Sequence, residues 1–170
     1  TGQGSGDLDG VSFFNEDFTI SATGDTASRE GIGNGVYFII NSTATINISD
    51  VGNLTIITPT RFFVNNPENT VGFSHGGSLP FDLFNTRNSA FESWNMLNSI
   101  GPVNGIGNLL QWRDLDPDPV TTSEGILFFN DNASINATFQ ATVSSIPEPS
   151  TYVLLMAGLG LVGFMARARV

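Results

Sequence analysis

The 170-residue sequence contains no cysteine, no lysine and a single histidine, His75. The lack of cysteine excludes disulfides, thiolate nucleophiles and zinc–sulfur sites. One histidine cannot supply the two or three imidazoles typical of a catalytic zinc site. The six cations are all arginines, and sixteen acidic residues bring the net charge to −10. A protein with no basic stripe is a poor match for phosphate backbones, so we expect no nucleic acid partner.

The surroundings of His75 favour a solvent-exposed loop histidine over a catalytic one. Residues 72–77 spell Gly-Phe-Ser-His-Gly-Gly, a composition typical of a flexible loop. No Gly-x-Ser-x-Gly nucleophile elbow occurs in the sequence. An enzyme would need His75 to meet both a carboxylate and a serine hydroxyl, and we therefore expect no enzymatic activity.

The first ten residues form a soft polar leader with no apolar stretch, and the sequence starts at Thr1 rather than at methionine. We interpret this as a mature end left after removal of a secretory signal, which predicts an extracytoplasmic location.

Residues 1–143 are predicted to be all-β. Residues 43–49 and 134–143 alternate apolar and polar side chains, the pattern of a strand with one buried face. Turn-forming Gly, Asn and Pro residues separate the apolar runs. The spacing predicts an antiparallel β-sandwich or jelly roll. Its strands are expected at residues 11–14, 17–22, 35–41, 43–49, 54–58, 61–64, 79–84, 125–129 and 134–143.

One segment breaks the strand pattern. Residues 89–100 are predicted to form a short helix that covers one end of the sandwich. Asn88 or Ser89 would cap its N-terminus, and Gly101 followed by Pro102 would end it.

The composition changes sharply after residue 143. A linker, residues 144–151, precedes an unbroken apolar run, residues 152–166. Fifteen residues span about 22 Å as a helix, close to the ~30 Å hydrocarbon core once Thr151 and the snorkelling stem of Arg167 are added. Residues 152–170 are therefore predicted to form a single transmembrane helix in membrane lipid with a basic cytoplasmic end; the alternative is a buried core helix.

Charge and small residues add two predictions for this helix. Residues 1–146 hold four arginines and fifteen acidic residues, a net −11, whereas residues 147–170 carry +1. Arg167 and Arg169 therefore place the C-terminus in the cytoplasm by the positive-inside rule. A stripe of small side chains would let transmembrane helices of other proteins approach closely, unless small residues are simply common in such segments. The stripe consists of Ala157, Gly160, Gly163 and Ala166.

Pro147, Glu148 and Pro149 stand directly before the apolar run, and an arginine-containing end follows it. This arrangement resembles the bacterial PEP-CTERM sorting signal over about residues 146–170. The resemblance implies export, retention in the inner membrane by the tail and processing near Pro147–Pro149 by the membrane peptidase exosortase. Many members of the family are surface or biofilm-matrix proteins without enzymatic activity.

Two binding sites are further hypotheses. Asp114, Asp116 and Asp118 would fall on one side of an extended segment, and oxygen-only ligation suits Ca²⁺; the alternative is a solvated acidic loop. An aromatic platform for a sugar is the second hypothesis, with buried core aromatics as the favoured alternative. Its side chains would be Tyr37, Trp94 and Trp112.

The sequence thus predicts a non-enzymatic extracytoplasmic β domain anchored in the inner membrane by its tail, with a structural or interaction role at the surface. Two alternatives remain: an accessory subunit that docks an uncleaved helix into a respiratory or photosynthetic membrane complex, and a carbohydrate- or calcium-binding module.

Overall fold

The computed structural model describes residues 1–76, 81–115 and 117–144. Within them the chain is all-β, as predicted, and its twelve strands belong to one antiparallel sheet. The strands are β1 (Gly2–Leu8), β2 (Val11–Gly24), β3 (Glu30–Gly33), β4 (Val36–Ile48), β5 (Gly52–Thr55), β6 (Thr60–Asn65), β7 (Thr70–His75), β8 (Asp82–Arg87), β9 (Ile100–Leu109), β10 (Thr121–Thr122), β11 (Gly125–Phe129) and β12 (Asn132–Ala141).

The sheet is a strongly curled half-barrel, which differs from the predicted sandwich or jelly roll. Its strand order is β10-β11-β1-β2-β4-β6-β7-β8-β9-β12, with β3 and β5 both paired to β4. β4 pairs with β6 over residues 36–40 and with β2 over residues 41–48. This long strand is therefore hydrogen-bonded to β2 along one part of its length and to β6 along the other, which joins the strands on its two sides into one sheet. The twist of the strands curls this sheet.

The curl brings the two ends of the sheet together at one point. The N-terminal ammonium group of Thr1 donates to the carbonyl oxygen of Thr138 at 2.8 Å. The nitrogen of Thr138 donates back to the carbonyl oxygen of Thr1 at 3.1 Å. This reciprocal pair makes β1 and β12 antiparallel neighbours there.

The prediction of a soft polar leader at the N-terminus is wrong. Residues 2–8 form β1, which lies between β2 and β11. A Cβ atom added to Gly4 would lie 2.6 Å from Cδ1 of Leu109 and 2.9 Å from Cδ1 of Phe129. The glycines therefore let core side chains pack directly on the backbone, so the strand helps to bury its neighbours with Leu8 as its one apolar side chain.

Two longer strands, β7 and β9, and the short strands β3 and β10 also lie where no strand was predicted. All six residues of β7 are buried. A Cβ atom added to Gly72 in β7 would collide with the ring of Phe63, which covers the strand from the outer side. A strand that is covered on both faces has no apolar–polar alternation, which is why the pattern gave no signal.

The predicted helix over residues 89–100 is absent. The described chain there contains a 3₁₀ turn, Ser89–Phe91, followed by bends, and Gly101 and Pro102 lie inside β9. The cap itself is confirmed, because the Asn88 side chain accepts a hydrogen bond from the nitrogen of Ala90 at 2.9 Å. A cap fixes where a turn begins, but it does not supply the apolar packing that a longer helix needs.

The core has two clusters, both on the inner face of the curled sheet. The larger cluster is centred on Phe18, Trp112 and Phe129, each at most 2 % exposed. The smaller cluster surrounds Phe91 and Trp94 near the end of β12. Partly buried Phe62 packs against both clusters and joins them into one interior.

The predicted transmembrane helix, residues 152–170, lies outside the described residues. Among the helical segments that the structure describes, none has the length and apolar character needed to cross a membrane.

Candidate functional site

The β domain leads directly into the C-terminal sequence motif. β12 ends at Ala141, and the nitrogen of Val143 donates to Oγ of Ser99 at 2.9 Å, which fixes the chain where it leaves the sheet. The described chain continues to Ser144. The motif therefore begins next to the β domain, without a long intervening linker.

Several predicted site residues lie outside the described part of the chain, and the roles assigned to them stay predictions. They are Pro147, Glu148 and Pro149 of the sorting motif, the stripe residues Ala157, Gly160, Gly163 and Ala166, and the cytoplasmic Arg167 and Arg169.

His75 is not a loop residue, and the prediction of solvent exposure is wrong. It ends β7, is 3 % exposed and places Nε2 at 3.4 Å from Oδ2 of Asp118. The Asp118 side chain is 72 % exposed. Ser74, the preceding residue, projects from the opposite face of β7, so alternation along the strand separates its hydroxyl from the imidazole.

On the outer face of the sheet, an arginine of β6 lies on one side of Ser74 and a carboxylate of β8 lies on the other side. Ser74 is opposite Arg61 in β6 and Asp82 in β8. Burial raises the pKa of the Asp82 carboxyl, although Arg61 acts in the opposite direction. Burial also lowers the pKa of the Arg61 guanidinium, against the influence of Asp82 and Glu30. The cost of desolvation therefore exceeds the attraction between the two charges.

The hypothetical calcium ligands do not lie on an extended segment where the structure describes them. The nitrogen of Asp114 donates to the carbonyl oxygen of Gln111, and that of Asp118 donates to the carbonyl oxygen of Leu115, so the segment contains tight turns. Asp116 lies outside the described residues. Among the described residues, no three His, Cys, Asp or Glu side chains converge as metal ligands. The Ca²⁺ site stays a prediction.

The aromatic side chains proposed as a sugar platform are separate from one another. Trp112 is fully buried in the larger cluster, and its Nε1 donates to the carbonyl oxygen of Leu83 at 2.7 Å. Trp94 is 9 % exposed and belongs to the smaller cluster. Tyr37 is partly buried with the Arg29 guanidinium 4.5 Å from its ring centroid. The two tryptophans are therefore core residues, in accord with the favoured interpretation.

Sequence reasoning missed an open seam between β2 and β12, defined by residues 19–24 and 139–143. β1 fills the gap between these strands only as far as Thr1, and beyond that point β2 and β12 are not paired with each other. Cavities of about 360 and 430 Å³ open along the seam. Three apolar side chains line both cavities: Ile20, Phe62 and Phe139. The position of the seam depends on which strands pair with each other, and the periodicity of the sequence does not reveal that pairing.

Comparison with known proteins identifies the C-terminus. Residues 145–170 match the model of the PEP-CTERM protein-sorting motif, which confirms the resemblance seen in the sequence. Neither the search of curated proteins nor the search of solved structures gave a match. The chain therefore carries a PEP-CTERM protein-sorting motif directly after its β-rich domain, and this motif implies sorting by exosortase to the cell surface.

Proposed function

We propose that this chain is a non-enzymatic extracytoplasmic protein that has a structural or interaction role at the bacterial surface. The observation that carries the proposal is the position of the PEP-CTERM motif, which begins one residue after the last described residue, Ser144. The tail would anchor the domain in the inner membrane until exosortase processes it. A body with a net charge of −11 favours a hydrated domain outside that membrane.

The non-enzymatic part of the proposal is supported by the side chains around His75. Its imidazole lies beside the exposed Asp118, while the Ser74 hydroxyl is on the other face of β7. The three groups that acyl transfer would need are therefore not brought together by this strand.

Mass spectrometry of the native C-terminus tests the proposal in a bacterium that contains exosortase. We expect the mature chain to lack the residues that follow Pro147–Pro149. An intact peptide ending at Val170 would instead favour the accessory subunit that docks its uncleaved helix in a membrane complex.

A double variant, Pro147→Ala with Pro149→Ala, provides the matched test of the motif. We expect the variant to keep its tail, whereas Ser144→Ala, one residue before the motif, should be processed like the unchanged chain. Equal processing of all three chains would contradict the role of the motif.

A further inference from the structure

The β10 edge of the sheet curls back onto β5. The nitrogen of Ser123 donates to the carbonyl oxygen of Thr55 at 2.8 Å, and Ile56 and Thr122 form an antiparallel bridge beside this bond. The strands β5, β4, β2, β1, β11 and β10 are hydrogen-bonded neighbours in that order. The contact between β10 and β5 therefore joins these six strands into a ring, which encloses part of the larger core cluster.

Three hairpin turns lie at the same end of this ring. They connect β1 to β2, β4 to β5 and β10 to β11, and turns that join alternate pairs of neighbouring antiparallel strands fall on one side. The nitrogen of Asp9, in the first turn, donates to the carbonyl oxygen of Ile126 at 2.9 Å, which ties this turn to β11. The turns border a cavity of about 740 Å³, which we call the ring mouth and whose rim holds Asp9, Asp50 and Glu124.

The floor of the ring mouth is apolar. Leu8, Phe13 and Leu54 line it, and each belongs to the larger core cluster or packs against it. Val11 also lines the mouth, and this side chain is 72 % exposed although it is opposite Leu8 in the hairpin of β1 and β2. Ligands bind in the mouths of β-barrels, where an apolar surface is accessible from solvent.

A β-bulge presents a second exposed apolar side chain at the ring mouth. The pairing of β1 with β2 shifts between Gly4 and Gly6, which leaves Phe14 and Asn15 opposite Ser5 alone. The backbone of Asn15 is in the left-handed region at φ 58°, and its nitrogen donates to Oγ of Ser5 at 2.8 Å. Phe14 is 73 % exposed and lines the mouth. Bulges are frequent at the rims of barrels, where they redirect a side chain.

The rim of the ring mouth carries four carboxylates. Glu16 of β2 joins Asp9, Asp50 and Glu124, and the described residues that line the mouth include no arginine or histidine. In the part of the chain that the structure describes, none of the four carboxylates forms an ion pair. They come from four separate segments, so a ligand in the mouth meets apolar side chains at its centre and negative charge around its edge. A concave surface of one sign attracts a ligand of the opposite sign.

We infer that the ring mouth binds an organic cation that carries an aromatic or alkyl body. The body would remove the exposed side chains of Val11 and Phe14 from water, and the ammonium group would lie near the carboxylates of the rim. The apolar floor favours this ligand over a bare metal ion, and the charge of the rim favours it over a neutral sugar. This binding activity goes beyond the proposed surface role, and it does not depend on processing of the tail.

Titration of the full chain in an uncharged detergent with two indoles tests this proposal: the cation tryptamine and its neutral analogue tryptophol. NMR shifts of main-chain amides locate the site, and we expect saturable shifts at Val11, Phe14 and Val51. Tryptophol should bind about tenfold more weakly than tryptamine at low salt. At about 0.5 M NaCl the two affinities should differ by less than about twofold, because salt screens exposed charges. Equal affinities at low salt, or tryptamine shifts confined to other residues, would overturn the proposal.

Methylammonium tests the need for the apolar body, because it has the charge of tryptamine without the ring. We expect it to leave the tryptamine shifts unchanged when both are present at the same concentration. Displacement of tryptamine by methylammonium, or by Ca²⁺ at that concentration, would overturn the proposal, because the mouth would then select charge alone.

Two double variants with the same net charge separate the rim from the overall charge of the protein. Glu16→Gln with Asp50→Asn removes two rim charges and should weaken tryptamine binding about fivefold. Glu92→Gln with Asp131→Asn removes two exposed charges that do not line the mouth, and should change binding by less than about twofold. Equal losses in the two double variants would overturn the proposal.

Two alanine substitutions at exposed apolar residues test the floor. Phe14→Ala should weaken tryptamine and tryptophol alike by about fivefold, because both lose the same apolar contact. Ile106→Ala, at an exposed residue of β9 outside the mouth, is the matched control and should change binding by less than about twofold. Equal effects of the two substitutions would overturn the assignment of the ligand body to the ring mouth.

Discussion

The gap between β2 and β12 is closed by β1 in one half of the molecule and open in the other half. Phe18, in the closed half, is 2 % exposed. Ile20 and Ala22 continue the same inner face of β2 in the open half, and both are only partly buried. Burial along this face therefore depends on the presence of a neighbouring strand, and not on the apolar character of β2 alone.

The largest expected loss of stability follows from replacing a tryptophan in each of the two halves by alanine. Trp112→Ala removes a fully buried ring that contacts Phe129 at 5.0 Å between centroids, and it should cost about 4 kcal/mol of unfolding free energy. Trp94→Ala, beside the seam cavity, should cost about 1 kcal/mol less because its site can collapse more easily. Denaturant unfolding of both variants measures the difference, and equal costs would contradict the comparison.

A smaller effect is expected where glycine lets β1 approach the core. Gly4→Val should destabilise the fold by about 2 kcal/mol because its side chain must displace Leu109 and Phe129. Gln3→Val, on the exposed face of the same strand, is the matched control and should stay within about 0.5 kcal/mol of the unchanged chain. Thermal and denaturant unfolding should give the same ranking. Similar stabilities for the two variants would show that β1 does not close this half by packing.

The sequence predicts those strands whose two faces differ, and it misses those whose faces are alike. Residues 134–143 alternate because one face of β12 is buried, and the prediction of a strand there is confirmed. β1 and β7 were missed for opposite reasons: β1 uses glycines in place of apolar side chains, and β7 is covered on both faces. The seam was beyond prediction because it depends on which strands become neighbours. The sorting motif was recognisable because its residues are contiguous in the chain.

The smallest expected effect concerns pH and arises at Asp82, a residue that does not line either seam cavity and so serves as a comparison from outside the seam. Burial raises the pKa of Asp82, so the folded state holds this proton more tightly than the unfolded chain. Its contribution to stability is therefore present at low pH and is lost as the pH rises from the ordinary value of 3.8 through the raised one.

Asp82→Asn does not titrate and should gain stability relative to the unchanged chain over this pH range. Denaturant unfolding of both chains at about pH 3 and about pH 7 measures the gain. A difference in unfolding free energy that is the same at both pH values would show that Asp82 is not the source.

The most direct test of the account compares the location of the full chain with that of a chain ending at Ser144, both exported in a bacterium that contains exosortase. We predict that the full chain is sorted through the membrane to the cell surface, whereas the shortened chain is never found in the membrane fraction. Equal membrane association and surface display of the two chains would contradict the claim that residues 145–170 determine where this β domain resides.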